Sequence, residues 1–515
     1  MHTVLVNPPT LFRWRWPDAS ARATSSYYES LLRHDRMRFP DGSSSLPGEH
    51  LGLQSISALM RDQGNSVSIV NGCVELHSSL HQTLEAVTAE KPDLVGFTGI
   101  TDTFGEIVWL ARGLRQRGFD GPIVLGNHHG TLNDGPVLAK HEEIDFVVRG
   151  DGELPLTKLV QALAGEIPFA AVPSLTWREG DLLARSAIAA PVRLDTLPHP
   201  SRESVGAVLR LGMSVAMFTK RGCPYRCTFC ATGQAAEVTS NLRGSAWRRK
   251  DPRLASEEFL RLVEDYGLRH ITIVDDLFFG RDATSREWAQ EFASHLVESG
   301  NRATFMIDCR VDSLDEVTIP LLKRAGLVRA FVGVESGSGI VRSALNKEYR
   351  STDVVGALRI LSGASIEVIL GFVFFTPYDD RLSLLQSAHL LRLLHSKDFA
   401  LHLQRMRVYP GTKLERDLKD LGLLRGHFPF FKFDFASPEV EILFQEVRML
   451  GEAVASDERI EDLSAAQSEQ LFRNFNRAVV GLLAAQDHIP IGWFEAAQVD
   501  VWDGVSHCPQ SPGCV

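Results

Sequence analysis

Residues 223–230 read Cys223-Pro224-Tyr225-Arg226-Cys227-Thr228-Phe229-Cys230, a CxxxCxxC spacing in a chain that has seven cysteines in all. Three thiolates within eight residues neither complete a tetrahedral zinc site nor pair off as disulfides. They suit three corners of a four-iron cluster whose fourth iron stays open to another ligand. The alternative is a zinc site that borrows a histidine from elsewhere, and the flanking sequence favours the cluster.

Downstream of the cysteines, from about 205 to 425, short apolar runs alternate with amphipathic stretches. Expected strands are Leu211–Thr219, which delivers the cysteine loop, Ile271–Val274, Thr304–Cys309, Ala330–Val334, Glu367–Phe374 and Leu401–Val408. Expected helices between them are Ser256–Tyr266, Glu287–Glu298, Leu314–Ala325 and Thr352–Leu361. Six such units closing a partial barrel bring every strand's C-terminal end to one mouth. The polar residues sit at those ends: Asp275-Asp276, Arg310-Val311-Asp312 and Glu335-Ser336-Gly337-Ser338.

Upstream, residues 1–195 predict a doubly wound parallel sheet, a Rossmann-like (flavodoxin-like) arrangement. Its strands are Thr3–Val6, Ser66–Val70, Leu94–Thr98, Ile123–Leu125 and Phe146–Val148, with helices at Leu51–Asp62, Phe104–Arg117 and Leu154–Leu163. A ligand belongs at the C-terminal strand ends, so the loops of interest are Asn7-Pro8-Pro9, Asn71-Gly72-Cys73, Thr98–Thr101, Gly126–Thr131 and Arg149–Glu153. No Walker phosphate loop and no helix-opening GxGxxG occurs, which weakens the common nucleotide readings. Residues 10–50 form a long connection in which Trp14, Trp16, Tyr27 and Tyr28 mix with arginines, expected as a lid over a ligand. Residues 426–515 are expected to be mostly helical with a flexible tail. They carry a run of phenylalanines (428, 430, 431, 433, 435), read as core or an apolar substrate wall, and a helix with Leu471, Phe475, Val479 and Leu482 on one face.

The chain's 515 residues suffice for two or three domains at about 150 residues each. A net charge of −10 argues against a general nucleic-acid binder, which needs a basic footprint. The start, MHTVLVNPP, lacks the basic flank and apolar core of a signal peptide, and the apolar run near Ile366–Phe375 contains Glu367 and is too short to span a bilayer. A cytoplasmic protein without a membrane span is expected. Cys73, Cys309, Cys508 and Cys514 are scattered, and Cys508 and Cys514 read as free thiols on a flexible end.

The stretch around the cysteines resembles the catalytic core of the radical S-adenosylmethionine (SAM) superfamily over roughly 210 residues. The resemblance implies that Cys223, Cys227 and Cys230 ligate a [4Fe-4S] cluster and that SAM chelates the fourth iron. It implies further that Phe229 packs on adenine, that Glu335 and Ser336 meet ribose or the methionine moiety, and that Gly371 lies in the adenine-contacting fifth strand. The family's Gly-Gly-Glu is replaced by Val274-Asp275-Asp276-Leu277-Phe278, making Asp275 or Asp276 a neighbour of the SAM amine. Arg310 pairs either with the SAM carboxylate or with Asp312.

The first half resembles the cobalamin-binding domain of cobalamin-dependent radical SAM enzymes. The resemblance rests on VNPP (6–9), HLGLQSISALMRDQGNSVSIV (50–70), PDLVGFTG (92–99), IVLGNHHGT (123–131) and DFVVRGDGE (145–153). It implies cobalamin contacts from Asn7, Pro8, Thr98, Gly99, Gly126, Asn127, His128, His129, Thr131, Gly150 and Glu153. The chain has no DxHxxG, so the cofactor is expected base-off with an open or weakly occupied lower face.

Together the two halves imply a methyltransferase. A methyl group would pass from SAM through methylcobalamin to a small-molecule carbon activated by a 5'-deoxyadenosyl radical, in specialised metabolism, with a flavodoxin or ferredoxin as electron donor. The alternatives are a cobalamin-containing cyclase or ring-rearranging oxidoreductase, and a cluster-bearing redox or regulatory protein that binds no corrin.

Overall fold

The computed structural model describes residues 1–9, 48–74, 79–239, 247–394, 405–455 and 465–484. Most of the aromatic- and arginine-rich segment 10–50, residues 401–404 of the expected sixth strand, and Cys508 and Cys514 lie outside the described residues.

The first unit is a seven-stranded sheet in the order β2-β1-β3-β4-β5-β6-β7, formed by β1 (His2–Asn7), β2 (Ser66–Asn71), β3 (Leu94–Thr98), β4 (Ile123–Gly126), β5 (Phe146–Val148), β6 (Leu175–Glu179) and β7 (Leu182–Arg185). The first five strands are parallel and the last two are antiparallel additions at the edge, which the residue pattern had not suggested. Thr3 to Val6 are all buried, as a strand covered on both faces requires. Leu5 packs with helices Leu51–Asp62 and Glu153–Leu163, while Val4 and Val6 pack on the opposite face with helices Leu80–Ala89, Phe104–Gln116 and Asn127–Lys140. The strand order places the topological switch between β1 and β3, where a ligand crevice is expected at the C-terminal strand ends.

Gly126–Thr131, expected as a loop, instead opens the helix Asn127–Lys140. That helix contains Gly130, Gly135 and Pro136 and kinks at Asn133, so neither propensity nor an apolar stripe announces it. Asn127 starts it in the left-handed region, with φ of 72°.

The second unit is built on five parallel strands in sequence order: β8 (Val215–Met217), β11 (His270–Ile273), β12 (Thr304–Arg310), β13 (Leu327–Glu335) and β14 (Glu367–Phe372). A two-residue ladder of β9 (Lys220–Arg221) and β10 (Arg248–Arg249) intervenes. At the sixth place, among the described residues, Arg405 makes a single parallel bridge to Phe375. Helix Pro252–Tyr266 shows why the outer layer forms where it does. Asp251 accepts from the amides of Arg253 and Leu254, Pro252 opens the first turn, and Gly267 ends it with φ of 62°. Phe259, Phe278, Trp288, Phe292 and Phe305 fill the space between this layer and the strands, with Trp288 and Phe292 stacked at 5.6 Å.

The two units are pinned together. Asp102 accepts from Arg407 Nη1 at 2.8 Å and Tyr409 Oη at 3.3 Å, and Asn133 Nδ2 donates to the Pro410 carbonyl at 3.1 Å. The Tyr409–Thr412 segment is thus a docking turn, with Gly411 at φ 83° seated against Leu132.

The phenylalanine run divides between packing roles. Phe433 and Phe435 are buried in the barrel core, and Phe428, just before the hairpin strand β16 (Phe430–Phe433) and just after β15 (Leu424–His427), lies against His129 and Phe104. Leu471, Phe475, Val479 and Leu482 are buried along helix Ala465–Ala484. No helix among the described residues is long and apolar enough to cross a membrane.

Gly337 marks a point where the barrel tolerates no side chain. A Cβ there would lie 2.5 Å from the Gln386 carbonyl oxygen and from Ser387 Cα of helix Arg381–Leu393. Gly337→Ala is expected to destabilise the protein by about 1–3 kcal/mol, read as a lower urea midpoint. Gly356→Ala, in a helix with nothing within 4 Å of the new methyl, should stabilise by about 1 kcal/mol.

Candidate functional site

The cysteine loop is held by its backbone and by one carboxylate. Asp275, just past β11, accepts from the amides of Thr219 at 2.7 Å and Lys220 at 2.9 Å, and from the Thr219 hydroxyl. Lys220 Nζ lies 3.8 Å from the same carboxylate and 3.0 Å from the centroid of the Trp288 ring. Burial pushes the lysine well below its usual pKa and the aspartate above its own, each partly offset by the other's charge. Asp275 is therefore fully engaged beneath the loop and does not face the barrel mouth, in contrast to the expectation that treated it and Asp276 alike. Farther along, Thr228 donates its amide to the Leu345 carbonyl and accepts at its own carbonyl from Leu414, and Asn346 Nδ2 donates to the Arg226 carbonyl at 2.7 Å.

Cys223, Cys227 and Cys230 are free thiols, with Cys227 buried. Burial, with the other two thiols and Asp276 adding charge repulsion, pushes Cys223 up to about 12 and raises Cys230 as well. The three sulfurs thus sit near enough for their charges to oppose one another, as the donor set for a positively charged iron cluster should. Among the described residues no three His, Cys, Asp or Glu side chains converge on a single point. A cubane asks for less, because each cysteine holds a different iron.

Around this loop the strands present one layer of residues to the lumen. Alternation along β12 puts Phe305, Ile307 and Cys309 in the core and Asp308 and Arg310 on the opposite face. In register with Arg310 stand Gly333 on β13 and Gly371 on β14; the Glu335–Lys347 pair lies over the first and the Phe331 ring over the second. Glu335 ends β13 with φ of 63° and pairs with Lys347 Nζ at 2.7 Å. Arg310 is bound through Nε and Nη2 to Asp312, so the local salt bridge of the two expected pairings is present. Ser336 is turned away, buried against Ser387 with its oxygen taken by the Ser338 amide, and Phe229 packs partly against the barrel core. Asp308 was missed. Burial, together with Asp276 and Asp275, raises its carboxyl to about 7. The available signal was an acid flanked by apolar residues within a predicted barrel strand.

A cavity of about 490 Å³ lies between the two units, within the range of small-molecule sites. Of the residues expected at cobalamin, Thr98, Gly126, Asn127, His128, Thr131, Gly150 and Glu153 line it, and Asp276 and Thr232 close it from the barrel side. Asn127 Nδ2 donates to Thr98 Oγ1 at 2.9 Å, and Thr131 Oγ1 accepts the Gly150 amide at 2.9 Å. Four expected residues stand elsewhere. Asn7 bonds Asn71 at 3.0 Å, the Pro8 carbonyl accepts from Cys73, and Gly99 packs against Leu125. His129 stacks on Phe104 at 4.2 Å with Nδ1 on Thr101, and burial lowers its pKa to about 3. It is a core histidine because the helix that begins at Asn127 turns it toward the side opposite His128.

The cavity also holds residues that motif reading passed over. His50, in the 50–70 motif, uses Nδ1 to accept from Leu53 and places Nε2 2.9 Å from Thr98 Oγ1; burial lowers its pKa to about 4. Arg221 reaches Glu153 at 2.7 Å, and Arg248 holds Asp151 through both terminal nitrogens. These two arginines come from the barrel unit and their partners from the first unit, so only the folded chain shows them as one wall. Deeper in, Leu5, Phe97, Val124 and Val148 make an apolar floor between helices Leu51–Asp62 and Glu153–Leu163. The lining thus joins a polar rim to an apolar floor, the chemistry that a corrin with its amide edge and apolar base calls for.

The B12 binding domain family matches residues 41–160, and the Radical SAM superfamily matches residues 217–389. The chain belongs to the B12-binding radical SAM family. Its enzyme class and its cofactor set, a [4Fe-4S] cluster, SAM and cobalamin, follow from that membership. The chain is 24% identical over 376 residues to an uncharacterised methyltransferase of Pyrococcus horikoshii, covering 71% of this chain and 78% of the relative. It is 26% identical over 347 residues to an anaerobic magnesium-protoporphyrin IX monomethyl ester cyclase of Synechocystis, covering 62% of this chain and 64% of the cyclase. The fold matches the cobalamin-dependent SAM radical enzyme OxsB with aqua-cobalamin bound, at a TM-score of 0.70 and 16% identity over 94% of this chain and 72% of that one. In this B12-binding radical SAM protein, the seven-stranded sheet and the barrel mouth face one another across the cavity.

Proposed function

We propose that the protein is a cobalamin-dependent radical SAM methyltransferase acting on a carbon of a small metabolite. The observation that carries this reading is the shared cavity. Its walls come from Thr98, Asn127 and His128 on one side and from Asp276 and Thr232, close to Cys230, on the other. A group seated on the first unit is therefore exposed to whatever is generated at the barrel mouth. When bound, the cluster with SAM supplies a carbon-centred radical and cobalamin supplies a transferable methyl group.

The chain's own residues hold, orient and exclude. Cys223, Cys227 and Cys230 hold the cluster. Asp276, accepting from Thr232 at 3.0 Å and otherwise open, takes the SAM amine in place of the absent Gly-Gly-Glu. His128 is neutral, since burial lowers its pKa against the opposing pull of Asp276, and it contacts the corrin periphery. The apolar floor between the two helices receives the tail of a base-off cofactor. A small flavodoxin- or ferredoxin-type protein supplies electrons.

The experiment is anaerobic reconstitution of the full chain with iron, sulfide, cobalamin and SAM, followed by product analysis with candidate substrates. Methyl transfer gives S-adenosylhomocysteine and 5'-deoxyadenosine in equal amounts with a methylated product. Similarity to the cyclases favours a second reading, for which deoxyadenosine would form alone. A chain that assembles its cluster but never retains cobalamin would sink both.

A further inference from the structure

We propose that Arg310 is a positioning residue for the iron–sulfur cluster, aimed at the sulfur of Cys227 and not at the SAM carboxylate. The inference rests on the reading of the cysteines as cluster ligands. Arg310 is 6% exposed at the end of β12, and each of its nitrogens is committed. Nε lies 2.8 Å and Nη2 3.2 Å from the two oxygens of Asp312, a fork that fixes the guanidinium plane. Nη1 then points at Cys227 Sγ, 3.8 Å away. The plane also covers the Tyr225 ring at 3.7 Å, so Arg310 touches the Cys-Pro-Tyr-Arg-Cys loop at two points. Burial opposes the charge, but Asp312 and Cys227 hold the guanidinium above its ordinary pKa. A permanent cation with an N–H directed at a ligand sulfur stabilises the more negative, reduced cluster and raises its reduction potential. Asp312 tempers that effect by neutralising much of the charge.

The pair makes predictions of opposite sign, which a merely structural role would not. With the full-length protein reconstituted anaerobically and free of SAM, the cluster potential is read by dye-mediated titration and electron paramagnetic resonance of the reduced state. Arg310→Gln should shift the potential downward, and Asp312→Asn should shift it upward. Arg310→Lys, which keeps charge but neither fork nor stack, should fall between Arg310→Gln and wild type. Should the glutamine variant fail to take up iron, the lysine and asparagine variants still decide the sign. Unmoved potentials, or shifts of the same sign in both variants, overturn the proposal. So does an Arg310→Gln protein whose potential is unchanged while SAM no longer perturbs the cluster spectrum, since that assigns Arg310 to the SAM carboxylate. A wild-type chain that takes up no iron overturns instead the reading of the cysteines.

Discussion

Replacing Cys223, Cys227 and Cys230 together by alanine should reduce bound iron and sulfide to background, abolish the visible absorbance of the reconstituted protein and stop release of 5'-deoxyadenosine from SAM. The loop should stay folded. The contacts that shape it are backbone ones: the Thr228 amide on Leu345, the Leu414 amide on Thr228, and the Cys230 amide on the Cys227 carbonyl. None of these uses a sulfur. Removing the three thiols costs little packing, because Cys223 and Cys230 are only partly buried. Each single alanine variant should also fail, since each cysteine holds its own iron. Cys73→Ala, at a thiol beside Pro8 in the other unit, should retain full iron. Iron retained in the triple variant would assign the cluster elsewhere.

Asp275→Ala should be among the most destabilising single substitutions in the barrel, while Asp276→Ala should leave stability unchanged. Asp275 satisfies two amides and a hydroxyl and lies beside a lysine that is 1% exposed at its side chain. Its loss strands Lys220 in a site walled by Trp288 and Phe278 and leaves the Thr219 and Lys220 amides without their acceptor. Breaking one side of a buried ion pair costs about 3–5 kcal/mol. A lower denaturation midpoint should therefore accompany poor cluster assembly, because the Thr219–Lys220 segment leads directly into Cys223. Asp276 is exposed to the cavity and accepts from Thr232 Oγ1 at 3.0 Å. Asp276→Ala should take up iron normally, melt like wild type and show weakened SAM binding, measured as the SAM-induced change in the cluster spectrum. Equal stability of the two variants would refute this division of roles.

Much of the molecule was legible in order. Leu94–Thr98 and Phe146–Val148 appear where apolar runs predicted them, and helix Leu51–Asp62 matches residue for residue. Strands covered on both faces must be continuously apolar, and such runs stand out from polar loops. The helix at Asn127–Lys140 did not, because its glycines and proline mask the period. Its position matters, since the helical turn sends His128 into the cavity and His129 into the core. Two adjacent histidines in a loop would have no such obligation.

The acids divide for a related reason. Asp275 and Asp276 are neighbours in the chain, and no local rule tells which faces the mouth. The extended backbone at the strand end turns successive side chains to opposite sides, and Lys220, far from Asp275 in sequence, claims the inward one.

By itself the sequence determined the three-cysteine loop, the parallel strand units on either side of it and the absence of a conventional phosphate loop, because these follow from local spacing and periodicity. Only the tertiary structure decided which polar residues meet. Arg248 on Asp151, Arg221 on Glu153, His50 on Thr98 and Arg310 on Cys227 join residues 48 to 97 positions apart. Hydrogen bonds and ion pairs act over a few ångströms, so chain distance carries no information about them until the sheets and barrel have closed.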